Sequence, residues 1–444
     1  MLTSSKPPRG GKRHDLQLVA KRRNEAQRIR ALTQSFQSRG RRILEWLDSC
    51  ASGAFLRPFC GGDFASMKIG LDVAQTCAER AGCAWHADAL ARALITDGLQ
   101  RGHSFELYHH FGDWINHDTS RGTMIDDARV TAPLRSMDSV AARKFWQDIE
   151  SGEPLPGKPD VVISFSFHAP KMPHTKLVYT VHDLVFWTYP EFATDVTRLL
   201  CQRELLQALA RAAGFLFVSN HTRREFEMML PGWLENTQRP YSLSPGASRF
   251  PPSAKPRAWS ADSPWLMVGS LEPRKNHACA LDAYEIYLAR SSQKRPLIFA
   301  GSRGWKSESL HARIAALVDR GVPVRALGYI PDHELEQVYA RSFALLAPSW
   351  HEGFGLPLAE AMAFGLPALS SLRASLPEIG GDVVRYIAPE NPDGFAAAML
   401  ALEADQENYA RRAEAALARG RTFSWSTTAN SVLEFVERLQ VNPS

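Results

Sequence analysis

HEGFGLPLAEA, residues 351–361, is the stretch of this sequence that decides its fold. It follows an apolar run, Phe343–Ala347, which is typical of a buried β-strand. A glycine-rich turn then leads to Pro357, which suits the first turn of a helix, and Gly365 suits the end of that helix. A strand, a glycine turn and a helix in this order present free backbone N–H groups and the positive end of the helix dipole. They therefore predict an anion-binding site.

Two glutamates flank this turn. Glu352 lies just before the predicted helix, and Glu360 lies about one turn inside it. A carboxylate accepts hydrogen bonds from hydroxyl groups, whereas the N–H groups of the turn suit phosphate. Together these groups predict a ligand that carries both phosphates and hydroxyls.

Short apolar runs alternate with helical patterns from residue 67 onward, which predicts parallel sheets with helices on both faces. The first set of runs is Ile69–Val73, Val161–Phe165, Leu177–Val181 and Phe215–Val218. The second set is Trp265–Val268, Leu297–Ala300, Val322–Leu327 and Phe343–Ala347. The predicted fold class is α/β, with two doubly wound, Rossmann-like domains that face each other across a cleft. Ligands of such sheets bind at the carboxyl ends of the strands.

A proline-rich segment, residues 248–264, separates the two sets of runs and predicts a linker. We divide the chain accordingly into five predicted parts. They are a basic leader (1–66), an N-terminal domain (67–250), a linker (251–263), a C-terminal domain (264–425) and a last helix (426–444) that packs back on the N-terminal domain.

The composition is that of a globular protein, with 45% apolar and 22% charged residues. The six cysteines show no C-x-x-C spacing, so we expect ordinary thiols of a reducing compartment and neither a disulfide framework nor a zinc site. No apolar run reaches the roughly 18 residues that a membrane span needs, and no signal-peptide core follows the N-terminus. We therefore expect a cytoplasmic protein.

The net charge of +5 is unevenly distributed along the chain. Residues 1–66 contain 13 Lys/Arg and 5 Asp/Glu, whereas the remaining residues contain 39 and 42. The body therefore gives no reason to expect nucleic acid. Three interpretations of the basic leader stay open: a helix on the inner face of a membrane, a solvated charged helix, or a segment absent from the native protein, since Met67 opens the first predicted strand.

Cationic and polar side chains follow several predicted strands. Arg274 and Lys275 lie in a strand-to-helix loop, where they could neutralise a diphosphate without a metal, although an exposed charged loop is the alternative. His182 and Asp183 end an apolar strand and would face the cleft, although a capping or satisfied core histidine is the alternative. Gly82 precedes a helix and could bring backbone close to a ligand.

Several other chemistries are disfavoured by missing motifs. The sequence contains no Gly-x-Gly-x-x-Gly or Walker loop, which disfavours dinucleotide redox chemistry and P-loop hydrolysis. No Asp-x-Asp pair follows a predicted strand, so we expect no metal at a nucleotide-sugar site.

These motifs together resemble the family-4 glycosyltransferases, which are retaining enzymes of the GT-B fold. The resemblance covers about residues 67–425 and excludes the leader. Its pieces are GLDVAQT, GCAWHADALARAL, VYTVHDLVFWTYPEF, FVSNHTRREF, VGSLEPRKN and the long segment LGYIPDHELEQVYARSFALLAPSWHEGFGLPLAEAMAFGLP. The spacing of Glu352 and Glu360, combined with EPRKN, is its most specific part.

The resemblance implies a donor-binding C-terminal domain and an acceptor-binding N-terminal domain. Glu360 would bind the ribose of a nucleotide-sugar donor, and Glu352 would bind a hydroxyl of the transferred sugar. Arg274 and Lys275 would bind the diphosphate, and His182 would lie across the cleft beside the donor sugar. Tyr329 and Ile330 would contact the base of the donor. The other donor-binding residues would be Gly82, Ser270 and the backbone of Gly353, Phe354, Gly355 and Leu356.

Ser270 departs from the pattern, because many relatives carry an arginine at this position. Arg274 and Lys275 would then stabilise more of the leaving-group charge. For retention we expect internal return on one face of the sugar, since Glu352 is assigned to binding the sugar and not to forming a covalent intermediate.

The resemblance implies a metal-independent hexosyltransferase without a cofactor. We expect a nucleotide-diphosphate sugar as donor, with GDP-mannose favoured, and a saccharide or lipid-linked saccharide as acceptor in surface-polysaccharide assembly. The alternatives are a catalytically silent GT-B partner subunit, or a sugar-nucleotide epimerase or phosphorylase of similar architecture.

Overall fold

A computed structural model describes residues 66–77 and 82–441 of the chain. The predicted leader, residues 1–66, therefore lies almost wholly outside the described residues. The described residues all belong to the unit Ala65–Ser444.

Two parallel β-sheets form the frame of this unit. The seven strands of the first sheet are β1 (Lys68–Asp72), β2 (Ser104–Tyr108), β3 (Val130–Thr131), β4 (Val161–Ser164), β5 (Lys176–Val181), β6 (Gly214–Phe217) and β7 (Tyr241–Leu243). The six strands of the second sheet are β8 (Trp265–Val268), β9 (Leu297–Ala300), β10 (Val324–Ala326), β11 (Ala344–Ala347), β12 (Ala368–Ser371) and β13 (Arg385–Ile387). We call the elements around these sheets the N-terminal and C-terminal domains.

Helices connect the strands and cover both sheets. Those of the N-terminal domain are α1 (Gly82–Gln100), α2 (Ser139–Ser151), α3 (Val185–Thr188), α4 (Asp195–Arg211), α5 (Asn220–Met229) and α6 (Trp233–Asn236). Those that follow are α7 (His277–Arg290), α8 (Glu308–Asp319), α9 (Asp332–Arg341), α10 (Leu356–Ala363), α11 (Leu376–Gly380), α12 (Pro392–Ala404), α13 (Gln406–Gly420) and α14 (Trp425–Val441). Among the described residues, no helix combines the length and the apolar character needed to cross a membrane.

The strand order explains where a ligand can bind. The first sheet has the order β3-β2-β1-β4-β5-β6-β7 and the second the order β10-β9-β8-β11-β12-β13, with every pairing parallel. Both are doubly wound sheets, which confirms the predicted fold class. In the second sheet the order reverses between β8 and β11, so the loops that leave these two strands open a crevice at their carboxyl ends.

The last helix returns to the N-terminal domain. Residues Ala429, Val432, Leu433 and Val436 of α14 lie in one apolar core with β1, β2, β4 and the inner face of α1. This burial stabilises the packing of α14 on the N-terminal domain, because each fully buried aliphatic side chain contributes roughly 1.5–3 kcal/mol.

Candidate functional site

The loop after β8 carries the two predicted cations and is held in place by its neighbour. Gly269 has φ +131°, and a β-carbon there would lie 2.9 Å from Cε of Lys275, so a glycine leaves room for the lysine to fold back. Pro273–Lys275 forms a single 3₁₀ turn, and Asn276 follows in the left-handed region with φ 60°. The side-chain amide of Asn276 donates to the carbonyl oxygen of Pro348 at 3.0 Å, which joins this loop to the loop after β11.

Both cations contact Glu352. Nζ of Lys275 donates to Oε1 of Glu352 at 2.7 Å, and Nη1 of Arg274 donates to Oε2 at 3.0 Å. Arg274 also donates to Glu272 at 2.6 Å, and Ser349 donates to Oε1 of Glu352 at 2.8 Å. The crevice between β8 and β11 thus contains two positive charges and two carboxylates in one bonded cluster.

The cluster is shielded from water. The side chains of Arg274, Lys275 and Glu352 are 17%, 10% and 9% exposed, so the alternative of an exposed charged loop is wrong. Burial alone would raise the pKa of Glu352. The charges of Lys275 and Arg274, with the hydrogen bonds from Lys275 and Ser349, outweigh that effect and lower the pKa to about 2. Glu352 is therefore an ionised acceptor at neutral pH and cannot serve as a proton donor.

The turn after Glu352 reaches across to the N-terminal domain. A β-carbon on Gly353 would overlap the carbonyl oxygen of His182, so only glycine fits here. The hydroxyls of Ser219 and Thr222 donate to the carbonyl oxygen of Gly353 at 2.6 and 3.2 Å. The two domains are therefore in direct contact at the predicted anion site.

Helix α10 begins at this turn as the sequence predicts. Gly355 precedes the helix with φ +100°, and Pro357 lies in its first turn. The hydroxyl of Ser375 donates to the carbonyl oxygens of Glu352 and Phe354, at 2.9 and 2.7 Å, which fixes the approach to the helix. The N-terminus of α10 therefore lies beside the cluster of Arg274, Lys275 and Glu352, as an anion site requires.

The other glutamate, Glu360, is fully buried and has two partners. Nε of Arg249 donates to Oε1 at 2.5 Å, and the hydroxyl of Tyr339 donates to Oε2 at 2.7 Å. The guanidinium of Arg249 also lies over the ring of Trp85, 4.6 Å from its centroid. Arg249 thus pairs with the carboxylate and connects it to helix α1.

Comparison with known proteins decides the family. The family described as glycosyl transferases group 1 matches residues 260–419. O-antigen chain mannosyltransferase B of Escherichia coli is 31% identical over 282 residues, which are 61% of this chain and 73% of that protein. The chain belongs to the group 1 glycosyl transferases. It is a glycosyltransferase, which confirms the predicted enzyme class.

Further relatives and solved structures agree with this. The serotype-specific mannosyltransferase WbdA of Escherichia coli is 32% identical over 184 residues, which are 41% of this chain and 22% of WbdA. Among solved structures, sucrose-phosphate synthase from Thermosynechococcus elongatus has a TM-score of 0.60 at 20% identity, covering 84% of this chain and 99% of that one. WaaG, a glycosyltransferase involved in lipopolysaccharide biosynthesis, has a TM-score of 0.60 at 16% identity, covering 83% and 99%. These structures confirm the GT-B fold.

The ring of His182 of this group 1 glycosyltransferase is buried and bonded within its own domain. Its Nε2 lies 2.6 Å from the carbonyl oxygen of Phe165, so that nitrogen carries the proton. Burial lowers the pKa of His182, and the ring is neutral at pH 7. The ring resembles the satisfied core histidine of the alternative interpretation, while the backbone carbonyl of His182 faces the turn at Gly353.

The remaining predicted residues of the glycosyltransferase lie partly or largely exposed. A β-carbon on Gly82 would lie 4.0 Å from Leu356, so the start of α1 faces the start of α10. Tyr329 is 43% exposed, and Ile330 is half-buried next to it. Ser270 is half-buried, and its hydroxyl lies 3.3 Å from that of Ser302.

Sequence reasoning missed several side chains that shape this glycosyltransferase site. Arg249 lies inside the segment interpreted as a linker, where nothing local indicates its partner Glu360. Ser219, Thr222 and Glu272 belong to motifs of the resemblance that predict no role for these side chains, and no motif contains Ser375. The S-x-x-T motif is the signal that could have indicated Ser219 and Thr222. It begins shortly after β6, and polar side chains at strand ends face the cleft.

Proposed function

We propose that this glycosyltransferase is a metal-independent, retaining enzyme that moves a hexose from a nucleotide-diphosphate sugar, with mannose from GDP-mannose favoured. The acceptor is a saccharide or lipid-linked saccharide of a surface polysaccharide. The names of its relatives, O-antigen chain mannosyltransferase B and WbdA, support mannose and polysaccharide assembly. The observation that carries the proposal is the buried cluster of Arg274, Lys275 and Glu352 beside the N-terminus of α10.

The cluster suits a departing diphosphate. When the donor's C–O bond breaks, negative charge accumulates on the diphosphate while the sugar becomes cationic. Arg274, Lys275 and the free N–H groups at the start of α10 form a preorganised set of donors that stabilises this charge without a metal. In the ligand-free protein Glu352 holds both cations in position, so little reorganisation is needed when the donor binds.

Glu352 is proposed to bind the transferred sugar. With a pKa of about 2 it stays ionised and accepts hydrogen bonds from sugar hydroxyls. Since both of its oxygens already accept from Lys275, Arg274 and Ser349, it is a poor covalent nucleophile. Internal return, with the acceptor attacking from the face that the diphosphate leaves, is therefore the proposed route to retention. A glycosyl-enzyme trapped on any carboxylate would overturn it.

Donor recognition is assigned to the rim and the floor of the same crevice. Glu360 is proposed to bind the ribose, because Arg249 and Tyr339 use one acceptor position on each of its oxygens and leave others for hydroxyls. Tyr329 and Ile330 are proposed to contact the base, and Gly82 and His182 to border the donor sugar from the N-terminal domain. Ser270 and the backbone from Gly353 to Leu356 would border the phosphates.

The experiment that tests this function uses purified full-length chain and a panel of GDP-, UDP- and dTDP-sugars. A donor that binds only the folded protein stabilises it by mass action and therefore raises its melting temperature. At a donor concentration of a hundred times Kd, the gain in unfolding free energy is about 2.7 kcal/mol. GDP-mannose is expected to give the largest shift and to be hydrolysed slowly without acceptor, and NMR of the product is expected to show a retained anomer.

A different result of this experiment would contradict each part of the proposed function. A shift with UDP- or dTDP-sugars alone would contradict the GDP assignment while leaving the transferase intact. Donor binding without any hydrolysis or transfer would favour the silent partner subunit. Activity that is abolished by EDTA and restored by Mg²⁺ would contradict metal independence.

The basic leader and the membrane remain part of the proposal. Residues 1–66 lie outside the residues that carry the site, and their interpretation as an inner-membrane contact is a hypothesis. Binding of the full chain to anionic vesicles, compared with a chain that begins at Met67, tests it. Equal binding by both chains would exclude the leader as the contact.

A further inference from the structure

A second cluster of chemically active side chains lies between the two domains, next to the cation loop, because Arg274 donates to the backbone carbonyl oxygen of one of its members, His351, at 3.0 Å. His221 and Glu225 are four residues apart on α5, so they share one face of that helix. His351, directly before Glu352, meets them from the C-terminal domain. We call these three residues the interdomain triad.

The triad is tightly packed. Nε2 of His351 lies 3.1 Å from both carboxylate oxygens of Glu225, and the rings of His221 and His351 lie 5.6 Å apart at 63°. One ligand-capable atom from each residue lies within 4.8 Å of the other two. His351 and Glu225 are buried, and His221 is half-buried.

Two ring nitrogens in the triad are unsatisfied. Nε2 of His221 and Nδ1 of His351 are buried and have no hydrogen-bond partner. A buried polar atom without a partner costs about 1–3 kcal/mol, so native proteins rarely leave one unless a further group binds there. Since Nε2 of His351 faces Glu225, Nδ1 of that ring points away from the carboxylate, and the evidence for a ligand at the triad is the unpartnered Nε2 of His221.

The protonation states suit a metal. Burial lowers the pKa of His221, so its imidazole is neutral and has a free lone pair at neutral pH. Burial opposes the ionisation of Glu225, but the hydrogen bond and charge of His351 outweigh it, and the pKa of the carboxyl lies below its ordinary value. Metal ligation requires neutral imidazoles and an ionised carboxylate, so the proton that His351 donates to Glu225 would leave when the metal binds.

We propose that His221, Glu225 and His351 form a binding site for a divalent transition metal, with Zn²⁺ as the best match. Two imidazoles and one carboxylate are a common zinc donor set, and a water molecule would complete the tetrahedron. Tetrahedral Zn²⁺ with bonds of about 2.0–2.1 Å places its ligand atoms roughly 3.3 Å apart. The three atoms now lie within 4.8 Å of one another, so the side chains would rotate slightly when the metal binds.

The metal would join the two domains. Two of its ligands belong to α5 of the N-terminal domain, and the third belongs to the loop that continues into Glu352. Occupancy therefore stabilises the closed arrangement in which Gly353 contacts His182, and it slows the opening that donor entry and nucleotide release need. The metal takes no part in the transfer itself, and it acts as a reversible inhibitor.

The test measures binding of the metal alone to the full chain, purified without a histidine tag. Co²⁺ is used as a probe, because a tetrahedral site gives strong visible absorption, and Zn²⁺ is then titrated to displace it. One equivalent is expected. His221→Gln and Glu225→Gln are each expected to weaken binding at least tenfold, and His333→Gln is the matched control, since His333 is an exposed histidine beside Glu334.

The outcomes separate the site from other histidines and from the catalytic proposal. If the variants of His221 and Glu225 bind as tightly as the wild type, the metal binds elsewhere and the proposal is wrong. Because loss of Glu225 could disturb folding, His221→Gln provides the decisive result, with its melting curve as a check. The binding readout does not depend on glycosyl transfer. Where transfer is measured, Zn²⁺ is expected to slow it severalfold in the wild type, reversibly with EDTA, and not in His221→Gln.

Discussion

Glu352 shows how a single residue can organise a charged site. It is buried with two cations, and each of its oxygens has at least one donor, so its charge is compensated on every side. Breaking such a buried arrangement from one side leaves an uncompensated charge, which costs about 3–5 kcal/mol. The sequence predicts Glu352, Arg274 and Lys275 as candidate site residues, because each follows a predicted strand. Their mutual pairing could not, since it depends on which two strands are neighbours.

Replacing Lys275 by alanine is expected to lower kcat/KM by about 10²–10³, the usual effect of removing one donor to a developing negative charge. The assay is transfer from GDP-mannose. Lys144→Ala, on the exposed face of α2, is the matched control and is expected to leave the rate unchanged. A loss below tenfold would remove Lys275 from the phosphate role.

The depressed pKa of Glu352 predicts a specific pH dependence of stability. Its folded-state pKa of about 2 lies below the ordinary value of 4.5, so the ionised group stabilises the fold above pH 4.5 and loses this effect as the pH falls towards 2. The difference in unfolding free energy between wild type and Glu352→Gln is expected to narrow by about 2 kcal/mol between pH 4.5 and pH 3.

Urea unfolding at a series of pH values measures this difference. Glu390→Gln serves as the control, because Glu390 forms only an exposed ion pair with Arg373 and should show little change with pH. A constant difference for Glu352→Gln over the same range would mean that the carboxyl titrates normally. The pairing of Glu352 with Arg274 and Lys275 would then be wrong.

At the scale of elements, long apolar runs were predictable and short or mixed ones were not. The runs before both loops of the site coincide with β8 and β11 to within one residue. Strand β12, with the sequence ALSS, was not predicted, because half of it consists of small polar residues that are also common in turns. It is a strand because both its neighbours, β11 and β13, pair with it, which is a tertiary effect that no local pattern contains.

Arg249 makes contacts that its position in the sequence does not predict. It lies at the start of the proline-rich segment, yet it reaches Glu360 on α10, Asp332 on α9 and Trp85 on α1. Such a role depends on three helices that converge from positions far apart in the chain. A segment whose composition is that of a linker therefore contacts the buried carboxylate of Glu360.

A double-mutant cycle tests this contact. Arg249→Ala is expected to destabilise the protein by about 3 kcal/mol, because it leaves the buried carboxylate of Glu360 short of a cationic partner. Adding Glu360→Gln should recover part of the loss, with a coupling of roughly 1–3 kcal/mol in urea unfolding. The exposed pair Arg303 and Glu308 is the control, with an expected coupling below about 0.5 kcal/mol. Additive losses for Arg249 and Glu360 would contradict the contact.

At the scale of the whole molecule, the two domains contact each other through backbone groups and helix ends. Glu378 of α11 accepts from the backbone N–H groups of Asn220 and His221, both at 2.9 Å, so a residue of the C-terminal domain caps a helix of the N-terminal domain. Ser219 and Thr222 bind the carbonyl oxygen of Gly353 beside it. These partners are more than 130 residues apart, which is why sequence patterns predicted two domains and a cleft but no closing contacts.

The last helix makes the stability of the N-terminal domain depend on residues that follow the C-terminal domain. Leu433 of α14 is fully buried in the core around β1, whereas its neighbour Glu434 is exposed. Leu433→Ala is expected to cost about 2–5 kcal/mol, through lost apolar burial and a residual cavity, and Glu434→Ala less than about 0.5 kcal/mol.

Because α14 packs against α1 and β7, this loss should appear in the unfolding of the N-terminal domain, and any separate transition of the C-terminal domain should stay where it is. Hydrogen exchange monitored peptide by peptide during urea unfolding distinguishes the two. Faster exchange confined to β8–β13 would show that α14 supports the C-terminal domain instead. Faster exchange in α1 and β1 would establish that α14 stabilises the N-terminal domain, so that a substitution in α14 destabilises α1, whose first residue Gly82 faces Leu356 of α10.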